Sequence, residues 1–532
     1  IVAHMDVYGW TPNGWSDELY KAHGYHAVHE RFHAIDTTDV VWKYPCNHSV
    51  LSEAQGMIVH SENSLRLTKY WNGSSKVDNF AVVPLLRVPV QEHNRIKARD
   101  TLKLNGDDFV ICSFGMLGDT KLNHRLLESW LASDLAKDNS CKLVFVGANQ
   151  EGQYGQELLA TIQRSGVNNR IIITGWTDTE TFRHYLSAAD VAVQLRTLSR
   201  GETSGTVLDC MNYSLPTIIN ANGSMADLSD DAVWKLTDEF TNEELVEALE
   251  GLWGDRLKRS RIGKRAREII LDQHAPRSCA DQYFEVIENF YRNATTDIHS
   301  LTDALSKIDI APANSNEYIL LAENIAKSIK PKLAPCQLLI DISELVQRDS
   351  KSGIQRVVRS ILHEWLNNPP KGLRIEPVYA TVDQGYRYAR RFTLGFLGCP
   401  TDALNDEPVE YNSGDIFLGL DLQPEIVPAQ KAFYKQLRND GVQVQFVVYD
   451  LLCVLMPQYF VKDAAEGHKR WLDVVAESDG VICISKAVAD EVDTWMKAHS
   501  PERHRPFNIN WFHLGADVNN SVPSKGLPAT AK

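Results

Sequence analysis

The chain has 532 residues, of which 43% are hydrophobic, and its formal net charge at pH 7 is −14. A chain of this length buries several hydrophobic cores, so we expect about three domains. The acidic balance, without any long block of like charges, argues against a nucleic-acid partner. No apolar run reaches the length that a membrane-spanning helix needs.

The cysteines number nine, an odd count, and no two of them have the spacing of zinc ligands. We interpret them as small buried apolar groups in the reducing environment of the cytoplasm. The sequence therefore predicts a cytoplasmic protein without a metal site.

Residues 1–95 form the first predicted domain, whose sheet includes strands at 1–3 and 56–60. Short apolar runs that alternate with helical patterns indicate a parallel sheet covered on both faces. His4 follows the first of these strands and His60 ends the second, so both are expected in the crevice at the carboxyl edge of the sheet. The alternative is that each histidine only satisfies a nearby backbone group.

Residues 96–293 form the second predicted domain, and their pattern is the clearest in the chain. Apolar runs alternate with segments of helical spacing, which indicates a doubly wound parallel sheet. The strands are expected at 109–115, 142–147, 170–175 and 191–195, and the helices at 122–136, 154–165 and 280–291. No Gly-x-Gly-x-x-Gly motif follows Gly147, which weighs against a dehydrogenase.

Residues 294–335 have the polar composition of a linker around one amphipathic helix near 316–329. Residues 336–532 begin a further domain of the same kind. Its strands are expected at 338–342, 414–420, 444–450 and 480–485, and a helix opens near Ser352. Because the sequence also opens inside a predicted strand and not with Met, we expect a fragment of a longer protein.

Polar groups are densest between the strand at 191–195 and the helix that follows it. The first backbone N–H groups of a helix have no partner inside the helix, and with the helix dipole they attract phosphate. Arg196 and Arg200 add positive charge beside this helix start. The alternative interpretation is a purely structural N-cap by Thr203 or Ser204.

The run from Gly201 to Ile218 resembles the donor-binding segment of family 4 retaining glycosyltransferases, which have the GT-B fold. In that family, two glutamates flank a glycine-containing turn. Asp209 falls on the second glutamate and Gly201 on the first, with Glu202 one place later. The form Arg-Gly-Glu-Thr-Ser-Gly is similar to a variant in bacterial O-antigen mannosyltransferases. The resemblance therefore implies that Glu202 contacts the sugar and Asp209 the nucleotide ribose.

The segment from Gly115 to Lys121 resembles the family's Gly-Arg-Leu-x-x-x-Lys motif, whose two cations hold the donor diphosphate. Lys121 matches, whereas Met116 stands in place of the arginine. A diphosphate leaving group needs more than one positive charge when no metal is present, so we expect Arg196 or Arg200 to compensate. The alternative for Lys121 is a solvated lysine at the start of a helix.

The resemblance implies an α/β protein of the GT-B type, built from several Rossmann-like doubly wound parallel-sheet domains. Residues 1–95 would be part of the acceptor-side domain of a first module, and 96–293 its donor-binding domain. Residues 336–532, after the linker 294–335, would be the acceptor-side domain of a second module. The implied site residues are Glu202, His4 and His60 for catalysis, and Gly115, Lys121, Arg196, Arg200, Thr203, Ser204, Gly205 and Asp209 for donor binding.

The implied reaction moves a hexose, mannose from GDP-mannose, onto a growing bacterial surface polysaccharide with retention, and needs no cofactor and no metal. The implied partners are a nucleotide sugar, a polyprenyl-diphosphate-linked glycan acceptor and polysaccharide-assembly proteins, at the inner face of the cell membrane. Two alternatives stay open: a catalytically silent scaffold that binds sugar nucleotide or glycan, and the same transfer from a different nucleotide sugar. Because the first acceptor-side domain lacks its opening strands, we expect the chain alone to bind GDP weakly without transferring sugar.

Overall fold

The computed structural model describes residues 11–73, 79–91, 93–199, 201–294, 298–308, 314–328, 335–349, 351–499, 503 and 505–515. The strands in these ranges are β1 (Met57–Val59), β2 (Phe80–Val82), β3 (Phe109–Phe114), β4 (Cys141–Val146), β5 (Ile171–Ile173), β6 (Val191–Gln194), β7 (Thr217–Asn220), β8 (Trp234–Leu236), β9 (Cys336–Asp341), β10 (Leu373–Tyr379), β11 (Arg387–Tyr388), β12 (Ile416–Gly419), β13 (Gln443–Val448), β14 (Gly480–Cys483) and β15 (Asn508–Trp511).

The α-helices in the same ranges are α1 (Pro12–His23), α2 (Tyr25–His33), α3 (Thr37–Lys43), α4 (His48–Glu53), α5 (Glu62–Asn72), α6 (Arg95–Thr101), α7 (Asn123–Ala132), α8 (Gln153–Arg164), α9 (Thr179–Ala188), α10 (Gly205–Asn212), α11 (Asn242–Gly254), α12 (Arg256–Gln273), α13 (Pro276–Asn293), α14 (Ile298–Ser306), α15 (Ser315–Ser328), α16 (Ser343–Gln347), α17 (Gly353–Asn367), α18 (Arg390–Phe396), α19 (Ile426–Ala429), α20 (Lys431–Asn439), α21 (Leu452–Leu455), α22 (Lys462–Val475) and α23 (Lys486–His499). None of the helices in the described ranges is both long enough and apolar enough to cross a membrane.

The strands form three sheets. A six-stranded sheet has the order β5-β4-β3-β6-β7-β8, and all of its neighbouring strands are parallel. A seven-stranded sheet has the order β11-β10-β9-β12-β13-β14-β15 and is parallel except for β11. A short parallel pair joins β1 and β2. The strands of these sheets alternate with helices along the chain. The predicted α/β class with doubly wound parallel sheets is therefore confirmed.

The chain folds as two compact units, and their boundaries differ from the predicted domains. Residues 54–301 form one unit, here called the central unit, and residues 1–53 join 302–532 in the other, here called the split unit. The predicted boundary near residue 95 is therefore not where the structure divides, and the predicted linker 294–335 is shared between the units. The predicted strand at 1–3 lies outside the described residues.

Helices α1 to α3 belong to the split unit because their apolar faces share its core. Leu19 and Val28 are fully buried and pack in one cluster with Ile340 of β9 and Leu362 of α17. These helices therefore do not share a unit with β1, whereas the prediction places residues 1–95 in a single domain. Their apolar spacing predicts helices but carries no information about which sheet they cover.

Hydrogen bonds to a buried carboxylate also hold α1 to the split unit. The Tyr20 hydroxyl donates a 2.6 Å hydrogen bond to the Glu376 carboxylate, which is almost completely buried. Arg374 forms an ion pair with the same carboxylate at 2.6 Å and donates a 2.9 Å hydrogen bond to the main-chain oxygen of Lys21. A buried charge is costly unless it is paired and hydrogen-bonded. Helix α1 therefore supplies hydrogen bonds that the charged side chains of Glu376 and Arg374 on β10 require.

Elsewhere the predicted elements lie close to the observed ones. The strand predicted at 109–115 is β3, and the helix predicted at 154–165 is α8. All six residues of β3 are buried, as is typical of a central strand covered on both faces. Such strands are continuous apolar runs, and this is why the sequence locates them well.

The split unit fills its own topological switch point with polar groups. Strand order reverses between β9 and β12, where Asp341 ends β9, Asp421 lies two residues beyond β12, and both are buried. Asp341 accepts hydrogen bonds from Tyr386 at 2.7 Å and Ser343 at 2.5 Å, and Asp421 accepts one from Gln355 at 3.1 Å. Burial, together with the neighbouring Asp341 carboxylate, raises the pKa of Asp421 to about 7. These hydrogen bonds make the crevice between β9 and β12 part of the buried core of the split unit.

Leu19→Ala tests whether α1 stabilises the split unit. Leu19 is fully buried, so we expect the free energy of unfolding of that unit to fall by about 2–5 kcal/mol. Hydrogen exchange should accelerate in β9 and stay unchanged in β3, because β9 shares a core with Leu19. Ile35→Ala is the control, since Ile35 is fully exposed. Faster exchange in β3 instead of β9 would contradict the assignment.

Candidate functional site

The candidate site lies in the central unit, at the switch point of its six-stranded sheet. Strand order reverses between β3 and β6, which are neighbours in the sheet although β4 and β5 lie between them in the chain. In such sheets, ligands bind in the crevice outside the carboxyl ends of the strands at the switch point. Gly115 follows β3 and Arg196 follows β6, so both predicted residues lie at this edge.

Gly115 has a backbone conformation that only glycine adopts readily, with φ at +100°. A Cβ atom on Gly115 would lie 2.6 Å from Nζ of Lys121 and 3.8 Å from a methyl group of Thr206. The glycine therefore leaves room for the lysine ammonium group against the start of α10. On the neighbouring strand end, a Cβ atom on Gly147 would lie 2.2 Å from the Gly115 carbonyl oxygen. Neither position has space for a side chain.

The turn Asp119–Lys121 is tied to both of its neighbours. Asn123 accepts a 2.9 Å hydrogen bond from the N–H of Gly118 and donates a 3.4 Å bond to Ser113 of β3. The N–H of Thr197, next to Arg196, donates a 3.0 Å bond to the carbonyl oxygen of Thr120. This bond joins the loops that follow β3 and β6, and it places Lys121 and Arg196 in the same crevice.

Lys121 and Arg196 carry positive charge that acidic side chains do not fully offset. Burial, and then the charge of Arg196, lowers the pKa of Lys121 to about 8. Burial also lowers the pKa of Arg196, and the Glu202 carboxylate opposes that shift. Among the described residues, Lys121 forms no ion pair. An anion between these two cations would therefore relieve their repulsion.

The loop from Leu195 to Ser204 is held by side chains of its neighbours. Asn220, at the end of β7, donates a 2.6 Å hydrogen bond to the carbonyl oxygen of Arg196 and accepts a 2.8 Å bond from its N–H. Ser224 donates a 2.8 Å bond to the carbonyl oxygen of Glu202, and Ser64 donates a 2.5 Å bond to that of Gly201. These bonds fix the main chain and leave the Glu202 side chain exposed.

Helix α10 begins at Gly205, as predicted, but no side chain caps it. Thr203 instead donates a 3.3 Å hydrogen bond to the carbonyl oxygen of His60, and Ser204 lies 3.4 Å from the hydroxyl of Thr206. Ser204 thus occupies the N-cap position, but neither its side chain nor that of Thr203 makes a capping hydrogen bond to the helix. The first N–H groups of α10 remain available to an anion.

A cavity of about 280 Å³ lies in front of this helix start. Its lining includes Arg196, Glu202, Thr203, Ser204, Gly205 and Asp209, together with Ser199 and Asn222. Six of the predicted site residues thus meet at one cavity, and Lys121 and Gly115 adjoin its Thr206 side. Arg200 and His4 lie outside the described residues.

Arg87 is a site residue that the sequence did not point to. Its guanidinium forms an ion pair with Asp209 at 2.8 Å, and a Cβ atom on Gly205 would lie 2.6 Å from its Nη2. Burial raises the pKa of Asp209, and the Arg87 charge opposes that shift. A cation at a helix N-terminus is unfavourable on its own, because the helix dipole is positive there. This arrangement therefore favours an anion beside both groups.

His60 lies at the end of β1, where it was predicted. Its Nδ1 is 2.8 Å from the carbonyl oxygen of Val83, and its own carbonyl oxygen accepts the bond from Thr203. The alternative that the ring satisfies a local backbone group is thus observed for Nδ1. A catalytic role for this histidine stays a prediction. Across the described ranges, no three His, Cys, Asp or Glu side chains are grouped closely enough to hold a metal ion.

The fold and the site together define a class of domain. The six-stranded parallel sheet, with a basic crevice and an open helix N-terminus at its switch point, has the arrangement in which α/β domains bind nucleotides or phosphates. Residues 94–269 match the family described as glycosyl transferases group 1. This stretch of the chain is therefore similar to a glycosyltransferase domain of that family, which confirms the predicted resemblance.

Curated relatives match a similar length of sequence. The chain is 36% identical over 199 residues to the serotype-specific mannosyltransferase WbdA of Escherichia coli, a match that covers 37% of this chain and 24% of the relative. A second WbdA sequence from the same species is 35% identical over 199 residues. The chain thus spans about a quarter of the length of the curated relatives that it matches.

Solved structures give weaker matches. The chain aligns with Anabaena Alr3699/HepE in complex with UDP and glucose at a TM-score of 0.39 and 19% identity, over 44% of this chain and 64% of that one. It aligns with WaaG, a glycosyltransferase involved in lipopolysaccharide biosynthesis, at a TM-score of 0.36 and 16% identity, over 42% and 60% of the two chains.

The pH dependence of nucleotide binding tests the position of Lys121. Its pKa of about 8 means that the free protein loses this positive charge above pH 8. A bound diphosphate favours the protonated form, so affinity for a nucleoside diphosphate should fall by up to about tenfold per pH unit above that value. Titration calorimetry between about pH 7 and pH 9.5 measures this.

Lys121→Arg is the matched control, because an arginine keeps its charge throughout that range. The variant should bind with an affinity that changes little with pH. If the wild-type affinity is equally flat, Lys121 does not contact the ligand phosphates.

Proposed function

We propose that this chain belongs to an enzyme that transfers a hexose from a nucleotide diphosphate sugar to a glycan hydroxyl, with retention at the anomeric carbon. The observation that carries the proposal is the crevice between β3 and β6, where Lys121 and Arg196 face the open N-terminus of α10. Their combined charge suits a diphosphate, which is the group that departs when a nucleotide sugar reacts.

The leaving diphosphate is the first charge that the site has to stabilise. As the glycosidic bond breaks, negative charge develops on the diphosphate and positive charge on the sugar ring. Lys121, Arg196 and the first amides of α10 bind the diphosphate before reaction, so little reorganisation is needed in the transition state. The main-chain bonds from Asn220 and Thr197 hold these groups in place.

The positive charge that develops on the sugar ring is the second charge that the site has to stabilise. Glu202 lies at the mouth of the cavity near Arg196, where its carboxylate is placed to contact the sugar. Asp209 is the proposed contact of the ribose, and it also orients Arg87 through their ion pair. His60 lies near Thr203 on the facing segment and is the candidate to contact the reacting sugar or the acceptor.

Mannose is the proposed sugar, and the support is the match to the WbdA mannosyltransferases. GDP is the proposed nucleotide, as the resemblance of the segment from Gly201 implies. The proposed acceptor is a glycan linked to polyprenyl diphosphate at the inner face of the membrane, in the company of other polysaccharide-assembly proteins. We propose that the reaction uses no metal, because Lys121, Arg196 and Arg87 can supply the positive charge that a metal would otherwise provide.

Glu202→Gln tests the reaction and distinguishes an enzyme from a silent scaffold. In the native polypeptide that contains these residues, transfer from GDP-mannose to a mannose-terminated oligosaccharide should fall by at least about a hundredfold. GDP affinity should stay within about threefold, because Glu202 contacts the sugar and not the diphosphate. The assay follows product by mass spectrometry, and UDP-glucose and GDP-glucose serve as competing donors.

An unchanged transfer rate in the Glu202 variant would contradict the assigned role, and preference for another donor would correct the sugar. Ser199→Ala is the matched control, because Ser199 lines the same cavity without a carboxylate. Activity that EDTA abolishes and manganese restores would contradict the metal-free reaction.

Arg87→Ala tests the third cation. We expect affinity for GDP to fall roughly 10- to 150-fold, since a hydrogen bond to a charged group contributes about 1.5–3 kcal/mol. Arg66→Ala is the control, because Arg66 forms a 2.9 Å ion pair with Asp227 in the same unit, whereas the guanidinium of Arg87 lies against Gly205 at the start of α10. Calorimetry of both variants measures the difference, and equal losses would show that Arg87 acts only through fold stability.

A further inference from the structure

The first half of α12 concentrates positive charge in a chain with a net charge of −14. Seven of the residues from Arg256 to Arg267 are lysine or arginine. The N-terminal end of a helix is the end where the dipole disfavours cations, so this arrangement lowers the stability of the helix. Asp255, the N-cap, offsets part of that cost. A cluster that local stability does not explain indicates a function.

Two of these seven residues are structural. Arg259 donates a 2.8 Å hydrogen bond to the carbonyl oxygen of Trp253, and Arg267 donates to the carbonyl oxygen and side chain of Asn212. The other five donate no hydrogen bond to these partners among the described residues: Arg256, Lys258, Arg261, Lys264 and Arg265.

Four of the five line a cavity of about 840 Å³ between α12 and the edge strand β8, where they are joined by Lys235. The acidic residues of this cavity are already paired with cations. Asp230 lies 2.7 Å from Lys235, and Arg265 lies 3.0 Å from Asp231 and 3.4 Å from Glu268.

Lys258, Arg261 and Lys264 are the cations that remain. Within the ranges that the structure describes, none of them has a carboxylate within ion-pair distance. Lys258 lies over the ring of Trp234, with Nζ 3.4 Å from the ring centroid. The cavity therefore offers three surplus positive charges above an aromatic and aliphatic floor.

One apolar side chain accompanies this basic face. Leu257, between Arg256 and Lys258, is 83% exposed. Clusters of lysine and arginine attract anionic lipid head groups at membrane surfaces, and an exposed apolar side chain beside them adds a contact with the lipid. A small soluble anion would use the cations but would have no contact with Leu257.

The cavity runs along β8 and reaches the edge of the sheet that holds the cavity in front of α10, here called the donor cavity. Ala221, which follows β7, and Thr237, which follows β8, line the cavity. Asn222, the residue after Ala221, lines the donor cavity. A partner surface that contacts this cavity would therefore lie next to the candidate site, on the same side of the central unit. Such a position suits an enzyme whose acceptor is held at a membrane.

We propose that this cavity and the basic face of α12 bind the phosphate head groups of anionic membrane lipids. Soluble phosphate compounds share the same chemistry, but the exposed Leu257 favours the lipid surface. The proposal is independent of sugar transfer, because vesicle binding is measured without a donor or an acceptor.

The experiment is co-sedimentation of the full chain with vesicles of phosphatidylcholine, with and without about one third phosphatidylglycerol. Wild type should bind only the anionic vesicles, and binding should weaken as salt is raised. The variant K258Q/R261Q/K264Q should lose roughly 100-fold in affinity, at about 1 kcal/mol for each cation. Thermal melts by circular dichroism establish that the variant is folded.

The control K137Q/K486Q/K497Q removes the same charge from exposed lysines on other helices and turns. It should bind as wild type does. Equal loss in this control, or no binding of wild type to anionic vesicles, would overturn the proposal. A second arm titrates inorganic phosphate by calorimetry, and tight binding of free phosphate without vesicle binding would overturn the assignment to lipid.

Discussion

The site of the central unit depends on the mutual repulsion of groups that meet where β3 and β6 lie side by side. Reversal of the strand order sends the loops after these strands in opposite directions and opens a crevice between them. Lys121, Arg196 and the start of α10 all present positive charge to that crevice. The surrounding hydrogen bonds hold these groups together against their repulsion. The site is therefore arranged to favour an anion before any ligand binds.

The split unit uses the equivalent position in its own sheet in the opposite way. There the strand ends contribute two buried carboxylates, Asp341 and Asp421, and the unit satisfies them with its own tyrosine, serine and glutamine side chains. No cation of the described residues donates a hydrogen bond to either carboxylate. Two sheets of the same class thus differ in the sign of the charge at the switch point, and only one of them favours a phosphate ligand.

The sequence predicts the features that are local. Strands such as β3 are continuous apolar runs, and the start of α10 is marked by a change from polar loop to helical spacing, so both lie where they were expected. The position of α1 to α3 could not be predicted, because an apolar helix face fits any core. The contact that decides it, from Tyr20 to Glu376, joins residues 356 positions apart.

Arg87 escaped prediction for the same reason. It is a single arginine in an extended segment, and its importance comes only from the fold, which brings it to Asp209 and Gly205. The sequence did indicate that a cation was needed, because Met116 stands where the resemblance calls for arginine. It proposed Arg196 or Arg200 for that role, and the structure adds a third candidate at the helix start.

Gly147 makes no hydrogen bond or ion pair through a side chain, yet it limits how the site can change. The space that its missing methyl group leaves is filled by the carbonyl oxygen of Gly115, 2.2 Å from where a Cβ atom would lie. Any larger residue would push that loop outward and carry the Lys121 ammonium group with it. The position of the Lys121 ammonium group thus depends on the volume available beside the neighbouring strand, and substitutions at Gly147 would displace that group without replacing a charged residue.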